Sequence, residues 1–442
     1  MGGYFELYDL FMTGYIAVGL IQAHLYSATT SNPFDIRGFA SFAGAGFAGM
    51  FVGTLLFSWF SDRYGRRTMF TFSLAWYSIA SLVMAFMSSP WTINLWRFIC
   101  GVGIGVQLVT ISAYIAEITP KGARGRYVAF SQFISYCSVP SVAAISLLAI
   151  PHTFFGLAGW RFVAIFGALG GPFAALLWRK LPESPRWLEA HHQCTQATAV
   201  IEEMERRVFS STSIASTSTQ PREISSLSEP ASTDAEDVPQ QGRWAEIWSG
   251  AYRKRTIMLL IFNAFQAIGY FGFAAWVPIL LVSQGIEVTK SLTYVLAIAL
   301  LNPFGSLLAM RYADRWERKW QIVALVLTIA VCGLLWAQQR SATGIILLGS
   351  VITLANSWFS CVLHTYQPEL FPTRIRAQAV GFVYSWSRFT SIFIGFLIAQ
   401  VLHRYGVTGV FVIVASAMAI VAVVVGIMGP KTGGASLEAL SH

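Results

Sequence analysis

The feature that most constrains this chain is a series of long apolar runs separated by short polar segments. A bilayer core of roughly 30 Å is crossed by about 20 residues of helix. In hydrocarbon every backbone N–H and C=O must be bonded within the segment, which leaves the α-helix as the local solution for isolated runs. Runs of this length fall near 4–27, 38–60, 68–88, 91–116, 127–150 and 159–180. After a polar interval they resume near 256–283, 291–311, 320–338, 343–366, 377–402 and 406–429. Of the 442 residues 55% are hydrophobic and 12% are charged, against about a quarter charged in an ordinary soluble domain. The expectation is an all-α, multi-pass membrane protein whose first partner is the lipid bilayer.

The net charge of +9 does not point to nucleic acid, because the charges are confined to the segments between apolar runs. Alternate segments hold Arg63, Arg66 and Arg67; Lys121, Arg124 and Arg126; Arg311, Arg315, Arg318 and Lys319; and Arg374 and Arg376. The positive-inside rule places these, the central interval and the C-terminus in the cytoplasm, with the plasma membrane the expected location. The interval from about 190 to 250 is rich in Ser and Thr and carries an acidic stretch from Asp234 to Asp237. It has too little apolar surface to offset its ordering entropy, so it reads as a largely disordered linker. The expected organisation is a six-helix bundle over 1–188, a linker over 189–252, a second six-helix bundle over 253–430 and a tail over 431–442.

The five cysteines are scattered and none forms a C-x-x-C pair, so neither a disulfide framework nor a metal site is expected. No nucleophile–base motif or phosphate loop is present. The chain is therefore read as neither an enzyme nor the carrier of a cofactor.

The two halves repeat at one offset. Asp62-Arg63 recurs as Asp314-Arg315, and Arg66-Arg67 as Arg318-Lys319, each 252 residues on. Tyr114, Glu117, Pro120 and Arg124 recur as Tyr366, Glu369, Pro372 and Arg376 at the same spacing. Topology alone would explain the sign of these charges but not the shared register. A duplicated six-helix unit, holding a solute between its copies near the midplane, explains both.

Gly53-x8-Asp62-Arg63-x-Gly65-Arg66-Arg67 resembles the signature of the major facilitator superfamily between its second and third helices. The stretch from Arg97 through R-F-I-C-G-V-G-I-G to Glu117 and Arg124 resembles the sugar-porter signature, as does Pro182-Glu183-Ser184-Pro185-Arg186. The tail from Gly429 to Glu438 resembles its closing segment, with Lys431 in place of the acid, and Glu317 stands where the first copy has Gly65. On the seventh run Gln266 is kept while the family's second Gln and its Asn are missing. Trp276-Val277-Pro278 and the stretch from Leu370 to Ala377 are more similar to the metabolite–proton branch. The resemblance implies the major facilitator fold, twelve helices with pseudo-twofold symmetry, and alternating access for a small solute such as an organic acid or sugar. It implies a cytoplasmic gate of Asp62, Arg63, Arg66, Arg67, Glu117, Arg124, Asp314, Arg315, Glu369 and Arg376. Export of a toxic metabolite, or a nutrient receptor that no longer transports, fits the same scaffold.

Ionisable groups inside a membrane are expensive and mark pathways or pairs. Gly2-Gly3-Tyr4-Phe5-Glu6-Leu7-Tyr8-Asp9 resembles the first-helix segment of proton-coupled sugar porters. That resemblance makes Asp9 the proton acceptor and Arg97 its partner; a static buried ion pair is the alternative. Glu6 is a second candidate acid, and Arg388 a counter-charge for an anionic solute or a residue reaching for the interface. Gln132, Asn263, Gln266, Asn302 and Asn356 are candidate solute ligands, each of which would otherwise hydrogen-bond a neighbouring helix. Gln132 and Gln266 match solute-contacting positions of sugar porters. His24 and His364 are expected at helix ends. Because the chain opens inside the resembled segment, a shortened first helix or an alternative start is also expected.

Overall fold

The structure is a computed structural model and describes residues 2–28, 34–118, 124–178, 181–191, 193–212, 244–312, 316–371 and 375–432. The chain is almost wholly helical. In the first part run α1 (Gly2–Gln22), α2 (Phe39–Tyr64), α3 (Arg66–Ala85), α4 (Pro90–Ile118), α5 (Arg124–Tyr136) and α6 (Ser138–Ala149). A two-stranded hairpin, β1 (Thr153–Phe154) with β2 (Leu157–Ala158), leads into α7 (Gly159–Gly167) and α8 (Gly170–Trp178). Then come α9 (Pro185–Ala190), α10 (Cys194–Thr212) and a 3-10 turn over Trp244–Trp248. The remainder is α11 (Gly250–Ala274), α12 (Val277–Ser283), α13 (Val288–Ala299), α14 (Asn302–Tyr312), α15 (Arg318–Ala337), α16 (Ala342–Glu369) and α17 (Arg376–Met428).

Several apolar runs are split by local turns. The run near 127–150 breaks at Cys137, the run near 256–283 at Ala275-Trp276, and the run near 291–311 at Leu300-Leu301. The last two runs are two helices that meet without a loop at Gly406, whose φ of 66° is non-helical, and together they make up α17. Seven helices among the described residues are long and apolar enough to cross a bilayer. Large side chains such as Ile79, Leu347 and Ile427 stand exposed on them. A soluble monomer rarely shows so much apolar surface, whereas lipid is its natural cover.

Packing is dense where small residues let helices approach. On α2 and α4 a Cβ placed on Gly49 would lie 2.1 Å from the Phe98 carbonyl oxygen. The seam therefore brings backbone against backbone, the contact that stabilises helices where burial from water cannot drive association. In the first part α1 packs on α5, α6 and α7, and α3 on α4 and α8; in the second, α11 and α15 pack on α17, and α14 on α16. Contacts between the two parts run through α2 with α17, α5 with α14, α6 with α13 and α1 with α12.

The interval read as a linker is not uniform. α10 continues the chain as a regular helix to Thr212, with Ala197 buried on its inner side. Its sequence C-T-Q-A-T-A-V-I-E-E-M-E-R-R is rich in helix formers, which the composition of the whole interval conceals. The Ser/Thr-rich and acidic stretch over 213–243 lies outside the described residues.

Candidate transport site

α1 is helical from Gly2, so Asp9 sits two turns inside it and faces α4. There Arg97 places Nη1 2.8 Å from Oδ1 and 2.7 Å from Oδ2 of Asp9, while Nη2 reaches the Asp9 carbonyl oxygen at 3.3 Å and also Thr13 Oγ1. The Asp9 side chain is 0% and that of Arg97 1% exposed. Cys100 Sγ lies 3.6 Å from Asp9 Oδ1, and the guanidinium carbon is 5.3 Å from the centre of the Phe42 ring. The pair is thus enclosed on every side by α1, α2, α3 and α4. Thr13, one turn beyond Asp9, is a partner that the sequence reading missed, although its i,i+4 spacing puts it on the same helix face.

Six further residues of α1, α11, α14 and α16 meet around a small cavity of about 30 Å³: Phe11, Tyr15, Tyr270, Phe273, Asn302 and Asn356 are among its walls. Asn302 accepts from Ser357 Oγ at 3.1 Å and donates at 3.4 Å to the Ala299 carbonyl at the end of α13, so part of its capacity is already used. Asn356 is 5% exposed, and its Nδ2 has no hydrogen-bond partner among the described residues. Asn263, by contrast, donates to Leu259 and accepts from Gln367 Nε2 at 3.0 Å, a bond joining α11 to α16. Gln266 is buried on α11 and Gln132 half-buried on α5, and neither makes a hydrogen bond among the described residues. The Tyr136 and Tyr270 hydroxyls meet at 3.3 Å across α5 and α11.

Arg388 lies on α17 and is 5% exposed. Its Nη2 donates to Tyr384 Oη at 3.2 Å, and its guanidinium carbon stands 5.3 Å from the Tyr384 ring and 5.8 Å from the Phe271 ring. Glu6 is part-buried on α1. His24 falls just beyond α1, in an exposed turn. His364 departs from the expectation of a helix end: it sits inside α16 with its ring 5.6 Å from Tyr384 and its Nδ1 2.7 Å from the Ser360 carbonyl. The apolar run was too short to show that α16 extends five residues past it.

The charged motifs gather at the helix ends. Gly65, at φ 93°, separates α2 from α3, and a Cβ there would lie 2.5 Å from Glu183 Oε2. That carboxylate accepts from the backbone N–H of Arg66 at 2.9 Å, Arg67 at 3.0 Å and Ser184 at 3.0 Å. A carboxylate at a helix N-terminus bonds free amides and complements the helix dipole. In the second copy the acid has changed sides. Glu317, which replaces Gly65 and has φ −57°, takes the N–H of Thr432 at 2.8 Å beyond the end of α17. The joint itself is repeated, since Tyr114 donates to the Pro182 carbonyl at 2.7 Å and Tyr366 to the Pro430 carbonyl at 3.0 Å. Glu317 and Lys431 are thus two halves of one exchange. Arg318 pairs with Glu369 alongside. Arg63 is exposed, its guanidinium carbon 5.8 Å from the centre of the Tyr64 ring. Of the remaining gate candidates, the side chains of Asp62, Glu117, Arg124 and Arg376, and the whole of Asp314 and Arg315, lie outside the described residues.

A helical membrane body with a buried ion pair and a small, mostly apolar cavity lined from both of its parts fits a solute transporter, not an enzyme. The profile of the family described as sugar (and other) transporter matches residues 1–442, and the chain belongs to that family. The putative metabolite transport protein YyaJ of Bacillus subtilis is 30% identical over 429 residues, covering 97% of this chain and 90% of that protein. The niacin transporter NiaP of Acinetobacter baylyi is 27% identical over 396 residues, covering 89% and 86%. The xylose transporter XylE from E. coli, in a partially occluded inward-open conformation, superposes with a TM-score of 0.75 at 18% identity, covering 98% of this chain and 97% of that one. The fold is therefore that of the major facilitator superfamily.

Proposed function

We propose that the protein is a secondary active transporter that moves a small organic solute, an organic acid, sugar or related metabolite, by proton symport. Two six-helix units, 1–188 and 253–430, rock about the central cavity in a plasma membrane, with the linker and the tail over 431–442 in the cytoplasm. The names of the relatives, metabolite and niacin transporters, support a small metabolite as cargo.

The observation that carries this reading is the enclosed Asp9–Arg97 pair. An ion pair so far from water is weak support for stability, because desolvation of both charges opposes their attraction. Its position gives it another use. Phe11 and Tyr15 line the cavity from the same helix as Asp9, and α1 also touches α12 of the other unit. A proton on Asp9 removes the charge that anchors Arg97, leaving the guanidinium with the Asp9 carbonyl and Thr13. α1 is then free to shift against α4 and to carry the cavity wall with it. Glu183 and Glu317 hold helix ends together within the first and the second part respectively, so that each part can move as a unit.

The test is uptake of labelled organic acids and sugars into proteoliposomes with an imposed pH gradient. Accumulation that collapses with the gradient is expected. Solute that merely equilibrates, with and without the gradient, would refute symport; outward movement driven by the same gradient would replace it with export.

A further inference from the structure

The hairpin between α6 and α7 ends in a large apolar side chain that no described residue covers. Its strands pair Thr153 with Ala158 and Phe154 with Leu157, which leaves Phe155 and Gly156 as a two-residue turn. Both have positive φ, 53° and 75°, as a type I′ hairpin turn requires at its central residues. Gly156 adopts this backbone freely. Phe155 does not, because such turns favour Asn, Asp or Gly at that position and a bulky residue with positive φ is strained. The strain gains no packing within the fold, since Phe155 is 99% exposed.

The neighbours of the tip are apolar as well. Phe154 is 40% exposed, and Leu148 on the last turn of α6 is 71% exposed. From Tyr127 to Trp160 the chain contains no Asp, Glu, Lys or Arg. A hairpin facing water would carry residues of that kind, which are mostly exposed in proteins.

The geometry sets the height of the tip against the membrane. α6 is the end of a segment, Ala129–Ala149, long and apolar enough to cross a bilayer. A Cβ on Gly159 would collide with the Ala149 carbonyl oxygen, so the start of α7 abuts the end of α6 and the hairpin is closed at its base. The Phe154 ring stands edge-on to that of Phe162, 5.3 Å away and one turn inside α7. The hairpin therefore lies back along α7 instead of projecting beyond the helix ends. Beside it Arg161 donates to the Ala85 carbonyl at the end of α3 at 2.6 Å, which marks the polar boundary at this level. That boundary is at the far end of α3 from Gly65 and its arginines.

We propose that this hairpin is a lipid anchor. Phe155 and Phe154 insert into the interfacial layer of the leaflet on that side, and their partner is phospholipid at the acyl-chain boundary. The surface they extend is the lipid-facing one that Leu148 already presents, so anchor and helix share one continuous interface. The lipid contact offsets the strain of the turn and pins the joined ends of α6 and α7 at one depth in the bilayer. This assignment does not depend on proton symport.

The test places the photoreactive residue p-benzoylphenylalanine at position 155 of the full-length protein in phosphatidylcholine liposomes, with position 148 as the lipid-facing reference. After irradiation, mass spectrometry should find the mass shift of one phospholipid at both positions in comparable yield. Lipid adducts at 148 without any at 155, or cross-links that join two copies of the chain through 155, overturn the assignment. Phe155→Asn gives a second reading without a photoreactive group. Asn-Gly is the preferred pair for this turn, so a tip in water is stabilised by the change, whereas a tip in lipid loses its apolar contact. The unfolding midpoint of Phe155→Asn in liposomes should stay level or fall, and a rise overturns the assignment.

Discussion

Replacing Asp9 with Asn separates a structural pair from a proton carrier. The carboxylate makes two short bonds to Arg97, at 2.7 and 2.8 Å, and the amide can offer only one acceptor in their place. Breaking a buried pair from one side costs about 3–5 kcal/mol, because the surviving charge stays buried. Here the guanidinium keeps the Asp9 carbonyl and Thr13, so a loss at the low end, about 3 kcal/mol, is expected. The double variant Asp9→Asn with Arg97→Gln carries no charge and should regain most of that stability. Unfolding midpoints in detergent measure this part. Function is read from two transport modes in proteoliposomes. Solute exchange at equal pH needs no net proton movement and should survive in Asp9→Asn, whereas accumulation driven by a pH gradient should vanish. Undiminished accumulation in Asp9→Asn would refute the coupling role of the pair and leave it a packing element.

Other perturbations test the frame around the site. Glu183→Gln weakens the acceptor for the first amides of α3 and should cost about 1–2 kcal/mol, seen as faster hydrogen exchange at Arg66 and Arg67. Gly49→Ala forces a Cβ to within 2.1 Å of the Phe98 carbonyl, so the α2–α4 seam must open. Overpacking of this kind costs about 1–3 kcal/mol, and a lowered unfolding midpoint should report it. Gly65→Ala should cost at least about 1–2 kcal/mol for its left-handed backbone, before its contact with Glu183 is counted. Glu317→Ala, at φ −57°, carries no such backbone strain and should lose the Thr432 bond, a contrast that stability measurements on the two variants resolve.

Much of this was written in the sequence because a bilayer is a demanding solvent. Apolar runs must be helices, so class and rough boundaries follow from composition along the chain. The separation of the Asp9 and Arg97 motifs in sequence did not hide them, since each sits in a recognisable segment. The finer breaks were less legible. A turn at Cys137 or Leu300 exposes few polar groups when neighbouring helices cover it, and hydropathy does not change there.

What only the tertiary structure decided is which polar group remains free. Asn263 and Asn356 are equivalent candidates to a reader of sequence, yet Gln367 occupies the first and, among the described residues, nothing bonds the amide nitrogen of the second. His364 looked terminal until α16 carried it inward against Tyr384. Glu317 and Lys431 were two separate departures until the end of α17 met the start of α15. Helix formation is local in a membrane and follows from the residues of one segment. Hydrogen-bond satisfaction is not local, because each partner comes from another helix, and only packing chooses which groups are spent on the fold and which are left for a solute.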